Sequence, residues 1–457
     1  MTNNSSPRKN RYWSRPGRVA ILSFAHRDYS AEEGERRARV VERFVASLGC
    51  EVTRTGPITS REQARRVALQ ALGSHPDAVI LFLDTWVEAP VVVAAAREVE
   101  HLPLGLWAFG MFDDGSGTKQ SSGSFVSLSV LKATLDRMGY APQWLLGEPS
   151  GATAARAEAW LSVCRALRLL RHSALGLVGY ASMGMYPGTF DHVQLRRTIG
   201  PEVIHIDTLD LVARAEKQPE RDVGRWLKSL SSAYRPGSAS RRKYLQKTGR
   251  LALALEQLIA EHDLQAINVK CQYELSQGYG AIPCVPLSLL PGRGVVAGCE
   301  GDVLTTVSQM IATALTRQPS AYGDLIDADD EGLYFSACGF APVELLAEPP
   351  KLEDIGHSGF AGAITSGLFR HGPFTAFRLA EGDGGYFMHV IFGESVPTSL
   401  RAGRFPALKL AGAPALQAVM KHVPSQHYAL APGDLRPMLQ VLCERLGIRY
   451  IDAGGET

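Results

Sequence analysis

The sequence lacks the features that would assign a function class directly. Its 457 residues include only 7 cysteines, none in a CxxC pair, so neither a zinc knuckle nor a disulfide framework is indicated. Reduced thiols in the cytoplasm are the simplest interpretation. No GxGxxG, P-loop, HExxH or GxSxG pattern is present, and the formal net charge is only +2. The motifs and the charge therefore indicate no nucleic-acid or membrane-surface partner.

Long hydrophobic runs are also missing. The longest apolar runs, such as AVILFLD (78–84), are far too short to span a membrane and instead suit buried strands. Residues 1–17 are polar and basic and have no apolar core of the kind found in signal peptides. The sequence predicts a disordered tail over 1–17, no membrane partner and a cytoplasmic location.

The remaining chain is long enough for two or three domains, with 45% hydrophobic and 21% charged residues. Apolar strand candidates alternate with amphipathic helices, first at RVAILSF (18–24) and LPLGLWAFG (102–110), and again at ALGLVGY (174–180) and AINVKC (266–271). Such alternation predicts parallel sheets that are covered by helices on both faces.

The sequence pattern changes beyond residue 345, where glycine and proline separate short strand candidates such as GYFMHVIFGE. We predict two tandem Rossmann-like α/β domains followed by a mostly antiparallel β domain. The predicted bounds are 18–150 for the first domain, 151–345 for the second, which carries the metal carboxylates, and 346–457 for the third.

Two acidic residues mark the junction of a strand and a helix in VVAGCEGDVLTTVSQ (295–309). This position, outside the carboxyl end of a sheet, is where α/β proteins place their sites, which makes Glu300 a candidate site residue. Asp302 has a simpler explanation, because an aspartate before a helix commonly caps it. If capping is its only role, Asp302→Asn will be mild.

Two further residues are candidate metal ligands. Asp324 follows Gly323 and precedes apolar residues, which indicates a partly buried carboxylate that needs a partner. His427 begins a strand directly after a Pro-Ser turn. Two carboxylates and an imidazole would suit Mn²⁺ or Mg²⁺ better than an ion that prefers thiolates.

The order of the longer blocks resembles the L-fucose/L-arabinose isomerase-like family. The resemblance rests on GLVGYASMGMYPGTFDHVQLRRTIG (176–200), AGCEGDVLTTVSQMIATALT (297–316), YGDLIDADDEGLYFSACGFAP (322–342) and PSQHYALAPGDLRPMLQVLCERLGI (424–448). It extends over roughly 18–448 and implies an aldose–ketose isomerase that works through a cis-enediol.

The resemblance also implies roles for single residues. Glu300 matches the glutamate that binds metal and moves the substrate proton, Asp324 matches the second carboxylate, and His427 matches the histidine ligand. Ala337 occupies a position where the arabinose branch has a histidine, which favours the fucose-like branch. Gln272 falls where relatives often carry an aromatic residue, and is a predicted substrate contact.

The resemblance further implies a homo-oligomer, with a hexamer as one form, in which the first domain completes a neighbour's pocket. His26 and Trp86 are therefore predicted to contact the sugar. Two other interpretations remain open from the sequence. One is a relative that catalyses another metal-dependent step on a modified sugar, sulfonated or acidic, and the other is a sugar-binding regulatory protein without turnover.

Overall fold

The computed structural model describes residues 11–115, 117–240, 242–356, 360–399 and 403–455. The chain divides into two compact units, Arg15–Arg168 and Met1–Ser14 with Leu169–Thr457. In the part of the chain that the structure describes, no helix is both long enough and apolar enough to cross a membrane.

The first unit contains a five-stranded parallel sheet with the order β2-β1-β3-β4-β7. All six residues of its strand Ala78–Leu83 are buried, as expected for a parallel strand between two layers of helices. Its elements are β1 (Gly17–Phe24), α1 (Glu32–Ser47), β2 (Cys50–Ile58), α2 (Arg61–Leu72), β3 (Ala78–Leu83), α3 (Ala89–Glu98), β4 (Leu104–Ala108), β5 (Phe112–Asp113), β6 (Lys119–Gln120), α4 (Ser124–Arg137), β7 (Gln143–Leu146) and α5 (Gly151–Arg171), which crosses the boundary between the units.

The second unit begins with a smaller parallel sheet of four strands in the order β11-β10-β8-β9. Its elements are β8 (Ala174–Val178), α6 (His192–Thr198), β9 (Glu202–Ile206), α7 (Thr208–Glu216), α8 (Glu220–Ala233), α9 (Tyr244–Glu261), β10 (Ala266–Val269), α10 (Cys284–Leu289), β11 (Val296–Cys299) and α11 (Val303–Thr316). Every residue from Val303 to Leu315 of α11 is buried, which identifies α11 as a central core helix.

The same unit continues into a barrel-like antiparallel sheet with the order β16-β19-β12-β13-β18-β17-β20, in which β16 also pairs with β17 and closes a ring. Helix α11 packs against strands of both sheets. The remaining elements are β12 (Ala321–Asp329), β13 (Gly332–Ser336), β14 (Lys351–Asp354), β15 (Ala363–Ser366), β16 (Gly372–Gly382), β17 (Gly385–Val396), β18 (Ala407–Ala411), α12 (Leu416–Met420), β19 (His427–Pro432), α13 (Arg436–Leu446) and β20 (Arg449–Asp452).

The predicted fold class is confirmed in its main parts, namely parallel α/β sheets followed by an antiparallel C-terminal sheet. One boundary needs correction. The antiparallel sheet begins with β12 at Ala321, well before the predicted start at residue 346, because β12 pairs with β13 and β19 and with no parallel strand. Asp324 therefore belongs to the barrel, whereas Glu300 follows the parallel sheet.

The predicted disordered tail also needs correction at its end. Residues 1–10 lie outside the described residues, but Tyr12 and Trp13 are 6% and 3% exposed. The Tyr12 hydroxyl donates to the carbonyl of Leu169, and the Trp13 indole N–H lies 3.4 Å from the carbonyl oxygen of Gln265. Burial of two aromatic side chains outweighs the polar composition of the segment around them.

Candidate functional site

A strained turn places the Glu300 carboxylate at the carboxyl end of β11. Glu300 has φ of 61° and the next residue, Gly301, has φ of 73°. A side chain on Gly301 is excluded, because its Cβ would lie 2.0 Å from the carbonyl oxygen of Tyr180. The amide of Gly301 donates to Asn268 Oδ1 at 2.8 Å, and the Glu300 carbonyl accepts from the amide of Ser182 at 2.8 Å. The fold thus holds Glu300 in a costly backbone conformation of the kind that is common at functional sites.

Strand pairing in the barrel brings Asp324 and His427 together. Strands β12 and β19 are antiparallel, and Asp324 lies directly opposite His427 in their register. The His427 Nε2 atom is 3.0 Å from Asp324 Oδ1 and 3.6 Å from Glu300 Oε2. The ring of Tyr322 packs over the imidazole with centroids 4.6 Å apart. One nitrogen therefore faces two carboxylates that are 24 residues apart in the chain.

Asp302 holds the opposite side of the imidazole. One of its oxygens, Oδ1, accepts from the amide of Thr305 at 3.0 Å and caps α11, so the predicted cap is present. The other, Oδ2, lies 2.8 Å from His427 Nδ1 and 2.7 Å from Arg378 Nη1. Capping α11 is therefore only one role of Asp302, because the side chain also contacts His427 and Arg378. A carboxylate on Nδ1 fixes the tautomer and the orientation of a histidine whose Nε2 is used for binding.

Arg378 completes this buried array. Its side chain is fully buried in β16, and it also contacts the Thr305 hydroxyl and the carbonyl of His427. A buried guanidinium requires a negative partner, and Asp302 supplies it. The pair therefore links the barrel to the N-terminal end of α11.

The charges at this site shift three pKa values. Burial raises the pKa of Glu300, against the opposing effect of His427. Burial also acts to raise the pKa of Asp302, but Arg378 and His427 together hold it well below its usual range. Burial acts to lower the pKa of His427, but hydrogen bonds to Asp302 and Asp324 raise it to about 9. The carboxylates thus strongly favour a positive charge at the imidazole.

Gln272 lies at the same site, just beyond the carboxyl end of β10. It is 3% exposed, and it lies close enough to Glu300 to act on the pKa of that carboxyl. Its Oε1 atom is buried and has no hydrogen-bond partner among the described residues. A buried amide oxygen in this state is a free acceptor for a ligand hydroxyl.

The two other predicted substrate contacts lie in the first unit. His26 follows β1, and its amide donates to Thr85 Oγ1 at 2.9 Å. Trp86 is half-buried and follows β3, with its amide donating to the carbonyl of Ser122 at 2.7 Å. Both residues lie at the carboxyl edge of the five-stranded sheet. Their role as sugar contacts stays a prediction.

Sequence reasoning missed two contributors to the site. Arg378 lies in TAFRLA, and a lone charged residue within an apolar strand indicates a buried partner of opposite charge. The neighbouring sequence does not identify that partner. For Asp302 the sequence favours capping, because its contacts with His427 and Arg378 span 125 and 76 residues of chain. The roles proposed for Glu300, Asp324 and His427 stay predictions, although the fold brings all three together.

Known proteins similar to this chain include sulfoquinovose isomerases. One from Alkalicoccus urumqiensis is 25% identical over 379 residues, which cover 80% of this chain and 84% of that protein. Another, from Priestia aryabhattai, is 25% identical over 299 residues, which cover 63% of this chain and 66% of that protein. These relatives support a sugar-isomerase family, whereas the fucose-like branch stays a prediction.

Other comparisons add little. No protein-family model matches the chain. A solute-binding protein of an ABC transporter from Burkholderia multivorans is 11% identical and covers 67% of this chain and 95% of its own, but its TM-score is 0.18. A score this low supports no conclusion about fold or function.

Proposed function

We propose that this chain is an aldose–ketose isomerase that requires a divalent cation and acts on a sulfonated aldose such as sulfoquinovose. The observation that carries the proposal is the convergence of Glu300, Asp324 and His427 in one buried site, with Nε2 facing both carboxylates. The sulfonated substrate is supported by the sulfoquinovose isomerases that the chain resembles.

The residues at this site fit a cation such as Mn²⁺ or Mg²⁺. Carboxylate oxygens and a neutral imidazole nitrogen are ligands that such ions accept. The raised pKa of His427 shows that its surroundings stabilise positive charge at the imidazole, and a bound cation would take the place of the Nε2 proton. Asp302 would keep the remaining proton on Nδ1.

The chain's own residues supply the proton chemistry. When bound, the cation would polarise the sugar carbonyl and its neighbouring hydroxyl as a Lewis acid. Glu300 removes the proton from the carbon beside the carbonyl, leaving a cis-enediol, and returns it to the former carbonyl carbon. A raised pKa suits this task, because the same group must accept the proton and then release it. Asp324, whose Oδ1 lies 3.0 Å from His427 Nε2, transfers the proton between the two sugar oxygens.

The buried position of the site also matters. Glu300 and His427 are 6% and 1% exposed, so the low dielectric around them strengthens their electrostatic interactions. Gln272 offers its free amide oxygen to a sugar hydroxyl. These contacts orient the substrate and leave the carboxylates to do the chemistry.

The test is a screen of aldoses that includes sulfoquinovose and its non-sulfonated counterpart, with Mn²⁺ or Mg²⁺ added. Ketose formation is followed by NMR in D₂O. Proton transfer through an enediol predicts deuterium at the former carbonyl carbon of the product, whereas a hydride shift predicts none there. Binding of sugars without ketose formation would favour a regulatory protein and contradict the proposal.

A further inference from the structure

Four cysteines from separate parts of the second unit come together beside Glu300. The thiols of Cys271 and Cys338 lie close enough to Cys299 to raise the pKa of its thiol. The Cys284 sulfur lies 3.7 Å from the carbonyl oxygen of Cys338. All four thiols are free. Since none of them stands in a CxxC pair, only the fold assembles the cluster.

Three ligand atoms in this region are close enough to share one ion. The sulfurs of Cys299 and Cys338 and a carboxylate oxygen of Glu300 all lie within 4.8 Å of one another. Tetrahedral zinc with bonds of about 2.3 Å to sulfur would separate its ligands by about 3.8 Å. Small side-chain rotations therefore suffice to bring the three atoms into ligand positions.

We propose that Cys299, Cys338 and Glu300 form a binding site for a thiophilic divalent cation such as Zn²⁺ or Cd²⁺. This ligand set differs from the one that contains Asp324 and His427, because thiolates select soft cations whereas carboxylates and imidazole accept Mn²⁺ and Mg²⁺. Glu300 is common to both sets. A cation held by the thiols therefore withdraws Glu300 from His427, whose Nε2 lies 3.6 Å from the carboxylate.

Because Glu300 belongs to both ligand sets, binding of a cation by the thiols affects activity, a consequence that rests on the proposed function. Occupation of the sulfur-containing site removes the base from the isomerase site, so Zn²⁺ or Cd²⁺ inhibits turnover in competition with Mn²⁺. The binding itself does not depend on what the enzyme catalyses, and it is tested separately.

The binding test titrates Cd²⁺ into the full-length chain after treatment with a chelator, with no other divalent cation present. A charge-transfer absorption from thiolate to cadmium is expected to saturate at one equivalent. The double variant Cys299→Ser with Cys338→Ser should lose this absorption and weaken Cd²⁺ binding by about 100-fold or more, since removal of a single supporting group already costs about 10–100-fold. Cys443→Ser, which changes a cysteine in α13 that is as buried as Cys299, should leave both the absorption and the affinity unchanged.

A measurement on the unaltered chain covers the case in which the double variant fails to fold. X-ray absorption of the zinc-loaded protein should show sulfur neighbours at about 2.3 Å. Zinc surrounded only by oxygen and nitrogen would overturn the proposal, as would a Cd²⁺ absorption that survives the double substitution.

Measuring zinc ligation and isomerisation on the same protein distinguishes failure of the sulfur-containing site from failure of the proposed function. If Zn²⁺ binds through sulfur and no sugar is isomerised by any form of the chain, the sulfur-containing site stands and the isomerase proposal fails. If isomerisation occurs and Zn²⁺ shows no sulfur ligand, the isomerase stands and the second site fails.

Discussion

The carboxyl edges of the two parallel sheets each hold a buried aspartate, and the two aspartates have opposite properties. Asp84 follows β3 in the first unit, is fully buried, and neither of its oxygens has a hydrogen-bond partner among the described residues. Burial, with a smaller contribution from Glu35, raises its pKa to about 8. Asp302 follows β11 in the second unit and is just as buried, yet its pKa lies well below the usual range.

The difference comes from what faces each edge. In the second unit, barrel strands β16 and β19 supply Arg378 and His427 to Asp302. In the first unit, the backbone of Gly34 in α1 faces Asp84 so closely that a Cβ on Gly34 would lie 2.5 Å from it. Burial alone therefore does not decide the charge of a carboxylate. The partners brought by distant parts of the chain decide it.

The largest effect is expected from changing the acid whose role is to move a proton. Glu300→Gln is nearly isosteric and should keep the fold, but an amide cannot act as a base, so turnover should fall by about 10²–10⁴-fold. It should also weaken Mn²⁺ binding, because an amide is a poorer ligand for a hard cation. Steady-state kinetics and calorimetric Mn²⁺ titration measure the two effects. Turnover retained within a factor of two would remove Glu300 from the mechanism.

The next effect tests whether Asp302 is more than a helix cap. Asp302→Asn keeps a capping oxygen but leaves the buried Arg378 without a negative partner, so the free energy of unfolding should fall by about 3–5 kcal/mol. Asp191→Asn is the matched control, since Asp191 caps α6 from an exposed position and accepts from the amide of Gln194 at 2.7 Å. The control should change stability by less than about 0.5 kcal/mol.

A double variant sharpens the Asp302 prediction. When Arg378→Met accompanies Asp302→Asn, no unpaired charge remains, and the loss should be smaller than the sum of the two single losses. Urea denaturation of the four proteins measures the coupling. Strictly additive losses, or an Asp302→Asn variant as stable as the unaltered chain, would mean that Asp302 acts only as a cap.

A smaller effect of opposite sign is expected in the first unit. Because the pKa of Asp84 is higher in the folded chain than in the unfolded chain, its ionisation destabilises the fold progressively as the pH rises from about 4 to about 8. The full shift corresponds to about 6 kcal/mol, and water penetration should reduce the measured effect to about 2–3 kcal/mol. Asp84→Asn should therefore gain stability over the unaltered chain mainly at pH 8 and above. Thermal unfolding at pH 5 and pH 9 gives the comparison, and an equal difference at both values would contradict it.

The smallest effect concerns a cap without a second role. The Ser60 hydroxyl accepts from the amide of Gln63 at 3.3 Å at the start of α2. Ser60→Ala should cost about 0.5–1 kcal/mol, which is far less than the loss predicted for Asp302→Asn. Denaturation midpoints of the two variants measured side by side show whether a cap at a sheet edge becomes critical only when it also binds the barrel.

Much of the fold and part of the site could be predicted from local patterns. Strand RVAILSF and the helix after CEGD appear where their periodicity predicts them, as β1 and α11. Glu300 can be recognised from the sequence as a site residue, because a carboxylate between small residues at the end of a strand has few structural roles. The start of the barrel was predicted too late, because the sequence of β12 does not reveal that its partners are β13 and β19.

The sequence by itself determined the alternation of strands and helices, the turn that holds Glu300, and the capping residue before α11. These features depend on periodicity and on residues within a few positions of one another, which the chain encodes locally. Only the tertiary structure decided that Asp302 would face His427 and Arg378, and that Cys299 and Cys338 would meet beside Glu300. Those contacts join residues that are 39 to 125 positions apart, and their energies exist only once packing has excluded water from them.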